Sequence, residues 1–129
     1  MKLLRTVCLL AVICAATTVV AEEEASLDQC IADPTNATFR IFQTRNIWTF
    51  LKLDTRTGLV WQVQWGNPTA ILPINGAPLA IKEAAQPGRF TLCATRNIFT
   101  FLLLDQQDGR LWGVQWSTKD KERFISPLQ

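Results

Sequence analysis

The chain has 129 residues, 48% of them hydrophobic, with 13 basic and 11 acidic side chains, four cysteines and no histidine. That length suits one domain with a core of useful size. The missing histidine excludes catalytic triads with an imidazole base and zinc sites with histidine ligands, and no basic cluster or known module points to nucleic acid.

Residues 1–21, MKLLRTVCLLAVICAATTVVA, run from Lys2 and Arg5 through an apolar stretch to Val19 and Ala21. This is the pattern of a secretory signal peptide, with cleavage expected between Ala21 and Glu22. The apolar run is short for a bilayer, which needs about 20 residues, so no membrane span is expected after removal, and the chain is expected to be secreted or periplasmic. Removal leaves 11 basic and 11 acidic residues. It also leaves Cys30 and Cys93 in a compartment where disulfides persist. Either these two join, or Cys93 is a small buried hydrophobe at a place where Phe42 stands earlier in the chain. Residues 22–38 read as an acidic tail or linker, with Glu22, Glu23, Glu24, Asp28 and Asp33, and with Asp33-Pro34 breaking any helix. The acidic residues concentrate there, so residues 39–129 hold 11 basic against 6 acidic groups, a surplus that fits an anionic partner or plain solubility.

Residues 39–65 recur as residues 90–116, with 15 of 27 positions identical. Self-similarity at this period indicates one supersecondary unit used twice, here as repeats 39–74 and 90–128 joined by a linker at 75–89. A short first strand at 39–43 leads to Thr44-Arg45-Asn46, a turn in which Asn tolerates the left-handed region. The middle strand, 47–53, places Trp48 and Phe50 on one face and Ile47, Leu51 and Leu53 on the other, which predicts a strand covered on both sides. Asp54 and Gly58, echoed by Asp105 and Gly109, mark hairpin loops: the carboxylate accepts from turn amides and the glycine takes a positive φ. In the next strand Leu59, Trp61, Val63 and Trp65 alternate with Val60, Gln62 and Gln64. A fourth strand at 70–74 aligns with 124–128, and its proline confines each to a sheet edge or a bulge. Residues 80–85 read as a helical turn or an extra strand. The expected fold is all-β: two antiparallel β-meander repeats with pseudo-twofold symmetry, forming a small sandwich or a partly closed barrel.

Asp54 and Asp105 are the only carboxylates at matching positions, and a carboxylate pair is what glycoside hydrolysis requires; hairpin geometry already accounts for both. No catalytic, cofactor-binding or metal residue is assigned. The five tryptophans are expected in the core, Trp48 included, since alternation places it beside Phe50. The alternative is an aromatic platform for a sugar ring or a partner's side chain, with Trp48, Arg45, Asn46, Gln64, Arg96, Asn97 and Gln115 supplying the contacts. The leading function is a non-catalytic binding module for a protein or glycan. A structural subunit that assembles through its strand edges, as a homo-oligomer or in a larger complex, comes second. A weak hydrolase using Asp54 or Asp105 comes last.

The segments TRNIWTFLKLDTRTGLVWQVQW and GRFTLCATRNIFTFLLLDQQDGRLWGVQWS resemble small secreted proteins of Bacteroidota that carry two copies of T-x-N-aromatic-x-F-L-x-L-D-x-x-x-G-x-x-W-x-V-Q-W. The resemblance covers nearly everything after Thr38 and brings no activity or ligand. It implies an aromatic where Cys93 stands, so that a Cys30–Cys93 disulfide, if the two join, is one that the relatives lack. More loosely, residues 53–61 look like the blade motif of quinoprotein-type β-propellers. Two blades cannot close a ring, so that alternative implies oligomerisation.

Overall fold

The computed structural model describes residues 37–66 and 68–128. The expected signal peptide, the Ala21/Glu22 cleavage site, Cys30 and nearly all of the acidic tail lie outside the described residues. Eight strands follow one another: β1 (Phe39–Gln43), β2 (Thr49–Asp54), β3 (Val60–Gln64), β4 (Ala70–Pro73), β5 (Phe90–Ala94), β6 (Thr100–Asp105), β7 (Leu111–Gln115) and β8 (Phe124–Leu128). They form two antiparallel four-stranded meanders, β1-β2-β3-β4 and β5-β6-β7-β8. The sheets share one apolar core and are not closed into a barrel, so the molecule is a two-sheet sandwich. Residues 80–85 contribute a single 3-10 turn, Lys82–Ala84. No helix among the described residues is long and apolar enough to cross a membrane.

Turn chemistry sets the register in both copies. The amide of Gly58 donates to the Asp54 carbonyl at 2.9 Å, and that of Gly109 to Asp105 at 2.9 Å. Each glycine has φ between +75° and +79°, where a Cβ would be strained. The aspartates accept from Arg56 N (2.9 Å) and Gln107 N (3.0 Å). At the opposite ends, Thr44 Oγ1 donates to the Thr49 carbonyl (2.7 Å) and Thr95 Oγ1 to that of Thr100 (2.8 Å). Asn46 and Asn97 do not enter the left-handed region, because no non-glycine residue among those described has a positive φ. Their side chains act instead: Oδ1 accepts the amide of Trp48 (2.8 Å) or Phe99 (2.9 Å). These bonds hold Trp48 in the turn, so β2 begins at Thr49, two residues later than expected.

Cross-strand partners share a face, so the pairing registers assign every side chain. In the first sheet Thr49, Leu51, Leu53, Val60 and Gln62 face inward and are buried; Phe39, Ile41, Phe50, Lys52, Trp61, Val63 and Ile71 face outward. In the second, Phe90, Leu92, Phe101, Leu103, Trp112 and Val114 face inward, while Cys93, Leu102, Leu104, Leu111, Phe124 and Leu128 face outward. Offset by 51 residues, the inward set of one copy is the outward set of the other. Val60 is 0% exposed and its counterpart Leu111 36%; Phe39 is 51% exposed and its counterpart Phe90 0%. A twofold axis through the interface would bury equivalent residues together. The expected pseudo-twofold relation is therefore replaced by a head-to-tail one, in which each sheet presents the same side in the same direction.

Contacts across the interface agree with that relation. Arg40 Nη1 donates to Thr91 Oγ1 (3.3 Å) and Arg45 Nη1 to the Arg96 carbonyl (3.0 Å), each joining equivalent positions of the two copies. Phe90 N donates to the Thr55 carbonyl at 2.7 Å, and Ser117 N to Gln62 Oε1 at 3.1 Å. A Cβ on Gly58 would come within 3.0 Å of Leu79 and 3.2 Å of Phe90, whereas one on Gly109 would meet nothing within 4 Å. Among the described residues, the middle strand of each sheet is consequently covered on one side, not two.

Candidate functional site

The outer face of the first sheet ends in a corner built by the β1–β2 turn and the residues after β3. Trp65 Nε1 donates to the Ile47 carbonyl (2.9 Å), and Trp65 N to that of Trp48 (3.0 Å). The two indoles meet with centroids 4.8 Å apart and planes at 54°, an ordinary tilted aromatic geometry. The Trp48 ring lies over Gly66, where a Cβ would approach it to 3.1 Å. Trp48 is 45% and Trp65 49% exposed. The expectation that Trp48 belongs to the core is corrected: the Asn46 cap keeps it in the turn, and no layer among the described residues covers that side. Of the other tryptophans, Trp112 and Trp116 are buried and Trp61 is half-buried on the open face.

The polar residues expected around such a platform are largely occupied. Asn46 holds the Trp48 amide, Gln64 Oε1 accepts from Thr49 Oγ1 at 2.9 Å, and Arg45 bridges to the second copy. In the second copy Asn97 holds the Phe99 amide, and Gln115 Nε2 donates to the Glu122 carbonyl at 2.9 Å. The Arg96 side chain is exposed and makes no hydrogen bond among the described residues. The structure brings Trp48, Arg45 and Asn46 together at one turn, and Arg96 and Asn97 at its equivalent.

The equivalent corner of the second copy differs in one respect. Phe99 and Trp116 repeat the pair at 5.0 Å and 50°, and Trp116 Nε1 donates to the Ile98 carbonyl (2.9 Å), but Trp116 is only 1% exposed because the first sheet covers it. Beside it lies a shallow cleft of about 110 Å³ lined by Asn97, Phe99, Gln115, Trp116, Ser117 and Glu122. The Glu122 carboxylate accepts from Ser117 Oγ (2.8 Å) and Lys119 Nζ (3.2 Å). Those bonds, Ser117's foremost, lower its pKa, so it holds no proton to give near neutral pH.

The two matching aspartates are tied into ion pairs. Arg89 Nε lies 3.1 and 3.0 Å from the Asp105 carboxylate oxygens and Nη2 at 2.7 Å. Asp54 is held by Arg56 at 3.2 and 3.0 Å. Burial alone would raise both carboxyls, yet hydrogen bonds from the arginines and from turn amides outweigh it, and both pKa values fall below the usual carboxylate range. Neither acts as a proton-donating acid near neutral pH, and both hairpin roles stand as the spacing implies. Cys93 is exposed on the outer face of the second sheet, not buried, and its suggested partner Cys30 lies outside the described residues.

The sequence reading missed the open face of the first sheet: Phe39, Ile41, Trp61, Ile71 and Trp65, with Lys52 among them. Lys52 Nζ sits 5.1 Å from the Phe39 ring centroid and 4.9 Å from that of Trp61, so its cation is held against aromatic faces. Alternation groups these residues correctly, but nothing in a single strand says which face a second sheet will cover. No protein-family model matches the chain, and neither curated proteins nor solved structures show a similar protein.

Proposed function

We propose that the chain is a non-catalytic interaction module, secreted or periplasmic like the two-repeat proteins its motif resembles, and that it works by presenting an apolar sheet face to another protein surface. One observation carries this reading. The outer face of the first sheet displays Phe39, Ile41, Trp61 and Ile71 and ends in the Trp48–Trp65 pair, with Phe39, Ile41, Ile71 and both corner indoles exposed. A contiguous apolar surface of that kind marks an interaction site, and aromatic anchors dominate such contacts. The ion-paired, low-pKa state of Asp54 and Asp105 removes support from a hydrolase. Assembly through the β4 and β8 edges is less favoured, since those strands carry Pro73 and Pro127 and proline blunts edges.

A photo-crosslinking residue in place of Ile71 tests the reading in cells. A discrete protein adduct is expected, and it should vanish when Ile41→Glu is placed in the same chain. Absence of any adduct at native expression would defeat the reading.

A further inference from the structure

We propose that the partner for this face is a second copy of the same chain, docked so that the outer face of one molecule's second sheet covers the outer face of the next molecule's first sheet. The inference rests on the interaction-module reading and names its partner.

Such a contact would continue the interface already inside the chain. There, the side of the first sheet bearing Leu51, Leu53 and Val60 packs on the side of the second bearing Phe90, Trp112 and Val114. The two surfaces left uncovered among the described residues carry the 51-residue counterparts of those same sets: Leu102, Leu104 and Leu111 on one, Phe39, Trp61 and Val63 on the other. They are thus complementary to each other and not to themselves. A contact between different patches propagates as a closed ring or an open filament, never as a twofold dimer.

Details at the rim agree. Inside the chain Arg45 donates to the Arg96 carbonyl. Arg96 occupies the same place in the second copy with its guanidinium unused among the described residues, ready to reach the Arg45 carbonyl of a neighbour. Trp116 shows what docking does to this corner, since a covering sheet takes it to 1% exposure while the uncovered Trp65 stays near half. Two substitutions loosen the outer junction relative to the inner one. Lys52 stands where the second copy has Leu103, and Gly113 where the first has Gln62, whose Oε1 accepts from Ser117 N. A five-residue by four-strand face spans about 17 by 19 Å, small for a lone interface. Assembly is therefore concentration-dependent and gains from using both faces of every chain.

Two complementary blocks test this on the full chain by sedimentation velocity and native mass spectrometry. Ile41→Glu blocks the first-sheet face and Leu111→Glu the second-sheet face; both positions are exposed. Wild type is expected as a multiple of the chain mass at about 100 µM, each variant alone as a monomer, and the equimolar mixture as a one-to-one dimer through its two unblocked faces. Lys52→Leu should lower the assembly midpoint about tenfold. A monomeric wild type, a mixture that stays monomeric, one variant that self-associates while the other does not, or no response to Lys52→Leu overturns the proposal. Circular dichroism checks folding, and Ile71→Lys with Leu128→Lys serves as a second pair if either glutamate variant misfolds. A monomer that still crosslinks through residue 71 to a different protein defeats self-assembly and leaves the interaction-module reading intact.

Discussion

Replacing Trp65 and Trp116 one at a time by alanine measures the head-to-tail relation directly, because the two residues are equivalent in sequence and in local bonding. Each indole N–H donates to a backbone carbonyl at 2.9 Å and each ring tilts against one aromatic neighbour. Loss of that bond, about 1 kcal/mol, is common to both substitutions and cancels in the difference. What remains is burial: 49% exposure for Trp65 against 1% for Trp116. Half of a tryptophan surface is roughly 100 Å², worth about 2.5 kcal/mol at 25 cal/mol per Å². Trp116→Ala should therefore cost about 4 to 5 kcal/mol, in the range for core aromatics, and Trp65→Ala about 2. Urea unfolding at protein concentrations low enough to keep the chain monomeric reads both, with the midpoint shift taken at constant slope. Equal losses would mean that the two corners are equally covered, and the head-to-tail packing would be wrong.

Three further outcomes follow from particular contacts. Gly58→Ala and Gly109→Ala share the strain of a positive φ, about 1 to 2 kcal/mol, but only Gly58 meets Leu79 and Phe90, so thermal unfolding should show Gly58→Ala costlier by an additional ~1 kcal/mol or more. Asp105→Asn should lower the melting temperature more than Asp54→Asn, because it takes the nearest carboxylate from the buried Arg89, leaving it Asp108 at 3.5 Å, while Arg56 reaches solvent. Asp54, Asp105 and Glu122 all have folded pKa values lowered from their ordinary ones; their stabilisation is present above the unfolded carboxylate pKa, near 4, and is lost as pH falls through the folded values. Unfolding free energy measured from pH 7 down to 2.5 should drop below about pH 4, and less steeply in Asp105→Asn.

Much of the fold is legible in the chain because it is written in local chemistry. The period-two pattern in residues 59–65, the Asp54/Gly58 and Asp105/Gly109 loops and the prolines of the fourth strands are each decided by backbone geometry within a few residues, and strands β3, β7, β4 and β8 follow from them. The relation between the copies is not local. Leu51 and Leu102 sit in nearly identical strands, yet one is sealed and the other only half-buried, and the difference arises from which sheet comes first in the chain. The candidate site fails to show in sequence for the same reason. Trp65 and Trp116 lie in the same W-x-V-Q-W motif, and a motif carries no information about the neighbour that covers it.

The substitutions between the copies bear on whether the chain ends its own stack. A repeat array that stops at two units needs polar outer faces on its terminal repeats. Here the outer face of the second sheet carries Leu102, Leu104 and Leu111 where the covered face of the first has Leu51, Leu53 and Val60, which is no more polar. The outer face of the first sheet keeps Phe39, Phe50 and Trp61 for the covered Phe90, Phe101 and Trp112, and gains one charge at Lys52, whose ammonium is drawn onto the Phe39 and Trp61 rings. One lysine at the centre weakens an apolar contact without abolishing it, whereas a cap would place charge across the whole strand row. Both faces have thus kept the chemistry of buried surfaces, the condition expected if each is covered when the protein works.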